Sequence, residues 1–134
     1  MTDSAPPPLP EAPIRDELGA EILERTNGRA VIRFPVERRF TIPSGVLQGG
    51  MYAVMMDMAM ASAAGGGLST TTLQVNLLRP AREGNVIVTA DIVRQGRTVI
   101  YLEAEMRDEE GALLARGNQT GMVVQPYVPP AEPE

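Results

Sequence analysis

Asp57 lies in a run from Gln48 to Ala64 where its neighbours Ala53, Val54, Met58, Met60 and Ala61 are all apolar. A carboxylate held among such groups must be paired, hydrogen-bonded or functional, because an uncompensated charge is costly to bury. The plainer alternative is a carboxylate tied to an arginine or to backbone N–H groups. Gln48-Gly49-Gly50 opens the same run. If the run is a helix, the free N–H groups of Gly49 and Gly50 lie at its N-terminus with no side chain in front of them. The helix dipole there favours a developing negative charge. The same two glycines would equally let a helix begin tightly against a strand.

The rest of the composition narrows what such a carboxylate could do. The chain has no histidine and no cysteine, which removes the Ser-His-Asp triad, the Cys-His pair and ordinary zinc sites. Every one of the 12 basic residues is arginine, so lysine Schiff-base chemistry is excluded and each cation is a planar fork suited to phosphate. A net charge of −5 argues against general nucleic-acid binding, which needs a basic surface. The few aromatics add no base-stacking platform. Catalysis must rest on carboxylates, hydroxyls, amides, arginine, tyrosine and backbone dipoles. The absent cysteine, the polar, proline-containing start and the lack of a long apolar run lead us to expect a soluble cytoplasmic protein with no membrane partner.

The elements that would carry these residues follow from periodicity. At 134 residues the chain fits one domain. Residues 1–13 hold five prolines and 126–134 four more, so both are expected as disordered tails around a single domain over 14–125. Ile14, Leu18, Ile22 and Leu23 recur at helical spacing and predict a short amphipathic helix over 14–25, closed by Asn27-Gly28. Ala30 to Val36 predicts a strand. The run 48–64, apolar almost all round and ended by three glycines, predicts a buried helix. Thr70–Leu78 alternates, with Thr71, Leu73, Val75 and Leu77 on one face. So do Asn85–Arg94 and Thr98–Arg107, and Ala112–Val124 completes the set. Three sequential hairpin-linked strands after one strand and a central helix give an α+β fold, an antiparallel sheet curled around that helix.

Taken together, Gln48-Gly49-Gly50, Asp57 eight residues beyond Gly49, Thr70 ten residues before Pro80, and the stop Arg79-Pro80-Ala81 resemble the hotdog-fold acyl-CoA thioesterases of the phenylacetate-degradation type. Gly96-Arg97 and Glu110-Gly111 add to the likeness, which spans roughly residues 30–124. That superfamily also includes the 4-hydroxybenzoyl-CoA thioesterases, which use a glutamine near the thioester. The sequence departs from the resembled pattern at two places. Gln48 stands where the family has histidine, and Ile42 where an asparagine is common.

The resemblance implies hydrolysis of an acyl-CoA thioester, with no cofactor beyond the CoA of the substrate itself. Asp57 would act as base or nucleophile, the Gly49 N–H as oxyanion donor, and Thr70 as a hydroxyl orienting water or the carboxylate. Gln48 would stand beside the thioester and Gly50 on the substrate side. Eight residues of helix separate Gly49 from Asp57 by ~12 Å, too far for both to touch one thioester. A site using both takes one from each subunit of a homodimer with antiparallel central helices, itself free to pair into a homotetramer. Arg79, Arg82, Arg94 and Arg97, clustered at strand ends, are candidates for the CoA phosphates. Each also has an ordinary reading. Adjacent threonines are common strand formers, turn arginines are commonly solvated, and Met51, Met55, Met56, Met58 and Met60 could fill a core as readily as line an acyl pocket. The rival in a different class is a non-catalytic hotdog module that binds acyl-CoA or serves as structure, in which the change to Gln48 records lost activity. A hotdog dehydratase or hydratase would resemble a different, histidine-dependent motif.

Overall fold

The computed structural model describes residues 6–124. Six strands form one antiparallel sheet in the order β1-β2-β4-β5-β6-β3, curled around a central helix. The elements are α1 (Pro13–Glu17), β1 (Glu21–Thr26), β2 (Arg29–Val36), α2 (Gly49–Ala63), β3 (Leu68–Leu77), β4 (Gly84–Gln95), β5 (Val99–Asp108) and β6 (Leu113–Val123). This is the α+β hotdog arrangement. The three hairpin-linked strands are β4, β5 and β6. Strand β3 crosses beneath α2 to the far edge, where it pairs with β6 alone. Among the described residues no helix is long and apolar enough to cross a membrane.

Alternation works as expected where the sheet meets α2. Val86, Val88 and Ala90 of β4, and Ile100, Leu102, Ala104 and Met106 of β5, are buried with Ile32 and Phe34 of β2. Tyr52, Met55, Met56, Ala59, Met60 and Ala63 of α2 are buried too. Large side chains removed from water contribute roughly 1.5–3 kcal/mol each, so this layer anchors the fold.

Two expectations need correcting. The helix expected over 14–25 is only one turn long, and Glu21–Thr26 is a strand paired antiparallel with β2. Gly19 stops the helix. Its φ of +66 is left-handed, and an added Cβ would lie 3.0 Å from Pro35 Cγ. The hydrogen bonds open along β2 then outweigh the weak helical propensity of a short segment, and Asn27-Gly28 becomes the hairpin turn between β1 and β2 rather than a helix end. Secondly, α2 is not buried all round. Met51, Val54, Asp57, Met58 and Ala61 are only partly covered.

The tail expected over 1–13 falls partly outside the described residues, as does all of 126–134. Residues 6–12 run as coil against the body. The Arg25 guanidinium donates to the Pro7 carbonyl, and Arg15 Nη2 donates to the Pro10 carbonyl at 2.9 Å.

Candidate active site

A break in the pleat of β3 builds the carboxylate side of the site. Thr70 pairs with Gly121 and Thr72 with Thr120, so Thr71 is the extra residue of a bulge. Because strand side chains alternate, one inserted residue reverses which positions face inward. Leu73, Val75 and Leu77 pair with Gln119, Gly117 and Ala115, all buried positions of β6 that face α2. Without the bulge Thr71 would share their face, as the alternation predicts. With it, Thr70 does.

Thr70 Oγ1 stands 2.9 Å from Asp57 Oδ1 and 2.7 Å from Gln119 Oε1. Gln119 Nε2 in turn donates to the Asp57 backbone carbonyl at 3.3 Å. The hydroxyl has one hydrogen and two acceptors in reach, so it serves one at a time. Asp57 is therefore neither free nor neutralised by an arginine, since no ion pair to it occurs among the described residues. It is half-buried and borders a cavity of about 370 Å³ between α2 and the amino-terminal segment.

Gly49 and Gly50 lie at the start of the same helix, about two turns before Asp57. Gln48 is the N-cap residue, in extended geometry and without a side-chain capping bond. Its carbonyl accepts from Met51 N–H at 2.9 Å, while no hydrogen bond from the Gly49 or Gly50 N–H is found among the described residues. A Cβ on Gly49 would meet Leu77 Cδ1 at 3.3 Å, and one on Gly50 would lie 2.9 Å from Gln48 Oε1. The side chain of Gln48 thus reaches over Gly50. Beside Gly49 opens a shallow cleft of about 310 Å³, bordered by Leu47, Tyr52, Leu77 and Leu78.

Tyr52 holds this end in place. Its hydroxyl donates to the Arg79 carbonyl at 2.9 Å and accepts from Ala81 N–H at 2.7 Å, tying α2 to the Arg79-Pro80-Ala81 stop. Burial raises the pKa of the phenol above its ordinary value, and the Ala81 hydrogen bond works in the other direction.

Within one chain the expected cluster of arginines is divided. Arg79 and Arg82 lie just before β4 at the Gly49 end, Arg94 at its far end, and Arg97 in the turn that follows. Twelve residues of strand separate Arg82 from Arg94 by roughly 35–40 Å. All four are exposed. The methionines divide as well: Met55, Met56 and Met60 are core, while Met58 borders the Asp57 cavity. Tyr52 and Gln119 are the site residues that the sequence reading missed. Gln119 carried a signal, being a polar residue in register with the inward positions Ala115, Gly117 and Gly121.

With this geometry in view, comparison with known proteins becomes decisive: the family profile described as the thioesterase superfamily matches residues 44–115, from the loop before α2 into β6. The chain belongs to the thioesterase superfamily. A Bacillus subtilis relative described as a candidate esterase, ComA2, is 31% identical over 117 residues, covering 82% of this chain and 93% of its own. Human acyl-coenzyme A thioesterase 13 is 26% identical over 100 residues, covering 69% and 71%. A solved Ralstonia eutropha JMP134 structure, described as a candidate thioesterase related to phenylacetic acid degradation, superposes with a TM-score of 0.80 at 29% identity, covering 85% of this chain and 92% of its own. As a member of that superfamily, the chain is a thioester hydrolase.

Proposed function

We propose that this thioesterase hydrolyses acyl-CoA thioesters at sites shared between two copies of the chain, with Asp57 from one and the Gly49 N–H from the other. The observation that carries the reading is Asp57 itself, held by the Thr70 hydroxyl at 2.9 Å and opening on a cavity, about two turns along α2 from its unpaired N-terminus. The thioester oxygen accepts from Gly49 N–H, which becomes a stronger contact as negative charge develops there. The carboxylate of Asp57 either takes a proton from the water that attacks the carbonyl carbon, or attacks it directly. In the first case the tetrahedral adduct expels CoA as its thiolate and leaves the free acid; in the second it expels the thiolate and leaves the acyl group on Asp57 as a mixed anhydride, which water then opens. Thr70 orients the carboxylate or the water, and Gln48 borders the thioester. The reaction draws on no cofactor, and CoA enters as part of the substrate.

The fold supports the pairing. Among the described residues no strand covers the outer edge of β3. Leu73 and Leu77, on its helix-facing side, are 39% and 50% exposed. An open edge with an apolar face invites a second strand, and two β3 edges meeting antiparallel about a two-fold axis would continue the sheet. The same axis reverses α2 against its copy, bringing each Gly49 toward the other chain's Asp57. It also brings Arg79 and Arg82 of one chain toward Arg94 and Arg97 of the other, which is how the divided arginines would meet one CoA.

Two inactive variants test this together. Asp57→Asn should lower kcat on an acyl-CoA panel by about 10³-fold, the range for a lost base. Gly49→Pro removes the oxyanion N–H while suiting the first position of a helix, and Gln48, at ψ 137, already has the backbone a following proline requires. It should cost about 10²–10³-fold. Mixed after denaturation and refolding, the two variants should regain about a quarter of wild-type activity, since half the dimers are mixed and each has one intact site. Two variants that stay inactive when mixed put both groups in one chain and refute the shared site. Full activity in Asp57→Asn refutes the catalytic role.

A further inference from the structure

The cavity beside Asp57 has a wall that the reaction does not explain. One side is α2, through Val54, Met58 and Ala61, and the other is the amino-terminal segment, through Leu9 and Pro10. The segment is fixed at three independent points. Arg25, on β1, binds the Pro7 carbonyl. Arg15 folds back onto the Pro10 carbonyl at 2.9 Å. Pro10 lies directly over Gly66, where an added Cβ would be 2.8 Å from Pro10 Cδ and 3.7 Å from Leu9 Cδ2. Gly66 also has a left-handed φ of +84, so both its missing side chain and its backbone suit the place where the segment docks. A stretch so held borders a mostly apolar, partly open cavity of about 370 Å³ that reaches the Asp57 carboxylate.

We infer that Leu9 and Pro10 form the outer wall of the acyl pocket, and that this segment sets which acyl groups are hydrolysed. The inference rests on the proposed acyl-CoA reading. An acyl chain whose carbonyl carbon is presented to Asp57 must extend somewhere apolar. This cavity adjoins that carboxylate, and its size is at the small end of ligand pockets, which run roughly 300–1,000 Å³. Unbranched short to medium acyl groups, or a single ring, fit that space. The wall is Leu9 and the rigid Pro10, continued by Glu11 and Ala12, so its position depends on its anchors more than on its own packing.

Leu9→Trp fills the pocket, and Arg25→Ala releases its wall without touching the lining. We would measure kcat/KM for acetyl-, butyryl-, octanoyl-, dodecanoyl- and phenylacetyl-CoA in the wild type and both variants. Affinities for the same series would be measured on the Asp57→Asn background. The ratio of octanoyl to acetyl efficiency should fall about tenfold or more in Leu9→Trp, as expected when a pocket loses room for even one methylene. In Arg25→Ala the optimum should move toward dodecanoyl-CoA. Hydrolysis that Asp57→Asn abolishes, with an unshifted profile in both variants, overturns the wall and leaves the thioesterase site standing. A wild type that hydrolyses none of the series, with affinities that still shift at Leu9, sinks the acyl-CoA hydrolase reading and keeps the pocket. A flat profile combined with altered sedimentation in Leu9→Trp assigns the surface to subunit contact and overturns the inference.

Discussion

Strands β4 and β5 meet α2 with every inward residue buried from Val86 to Ala90 and from Ile100 to Met106. Strand β3 meets the same helix with only Leu68 and Val75 partly covered, although it is ten residues long and paired with β6 on both sides of the bulge at Thr71. The two regions differ in both pairing and burial: β4 and β5 are bonded on both edges, β3 on one. The first is a core finished within one chain. The second keeps apolar side chains on the helix face and an unpaired edge, the signature of a surface completed by another molecule. The proposed site lies on that boundary, since Asp57 is only partly covered and is held by Thr70 of β3.

Three substitutions sharpen or break this contrast. Leu102→Ala, at a position with no exposure, should cost about 2–5 kcal/mol in urea unfolding, and a smaller loss would mean the core relaxes more than its packing implies. Next, Thr70→Val removes the hydroxyl between Asp57 and Gln119 while keeping shape and strand propensity. A hydrogen bond to a charged group contributes about 1.5–3 kcal/mol, so kcat should fall roughly 10–100-fold. Thr70→Ser should restore most of it, which a purely structural role at an exposed strand position would not require. The smallest effect is expected at Leu77, half exposed. Leu77→Ala should alter the stability of a dilute, monomeric sample by within about 0.5 kcal/mol while shifting the monomer–dimer midpoint in sedimentation to higher concentration. A large loss of stability with no change in assembly would remove the distinction between the regions.

Much of the fold was legible because apolar alternation and burial are the same fact seen at two levels. Period alone places Val86, Val88, Ala90 and Ile92 on one face of their strand and Ile100, Leu102, Ala104 and Met106 on one face of theirs, and all but the partly covered Ile92 are buried. The segment 14–25 was not legible, because four apolar residues at helical spacing are also compatible with a one-turn helix followed by an edge strand. What separates the two is Gly19 and the open edge of β2, and only the glycine is local. The two polar partners that organise the site, Gln119 and Tyr52, bond to residues 49 and 27 positions distant in the chain. No local pattern announces such bonds.

The sequence by itself determined the chemical inventory: one carboxylate in an apolar helix, a glycine pair at that helix's start, and neither histidine nor cysteine to support another mechanism. Those are properties of residue type and short-range spacing, and they survive whatever the chain does at long range. Tertiary structure alone decided that Thr70, rather than Thr71, faces Asp57, that the arginines divide between two ends of β4, and that Leu9 and Pro10 border the cavity beside the carboxylate. Each depends on a bulge, a strand crossing or a docked segment, where shifting the register by a single residue exchanges inside for outside.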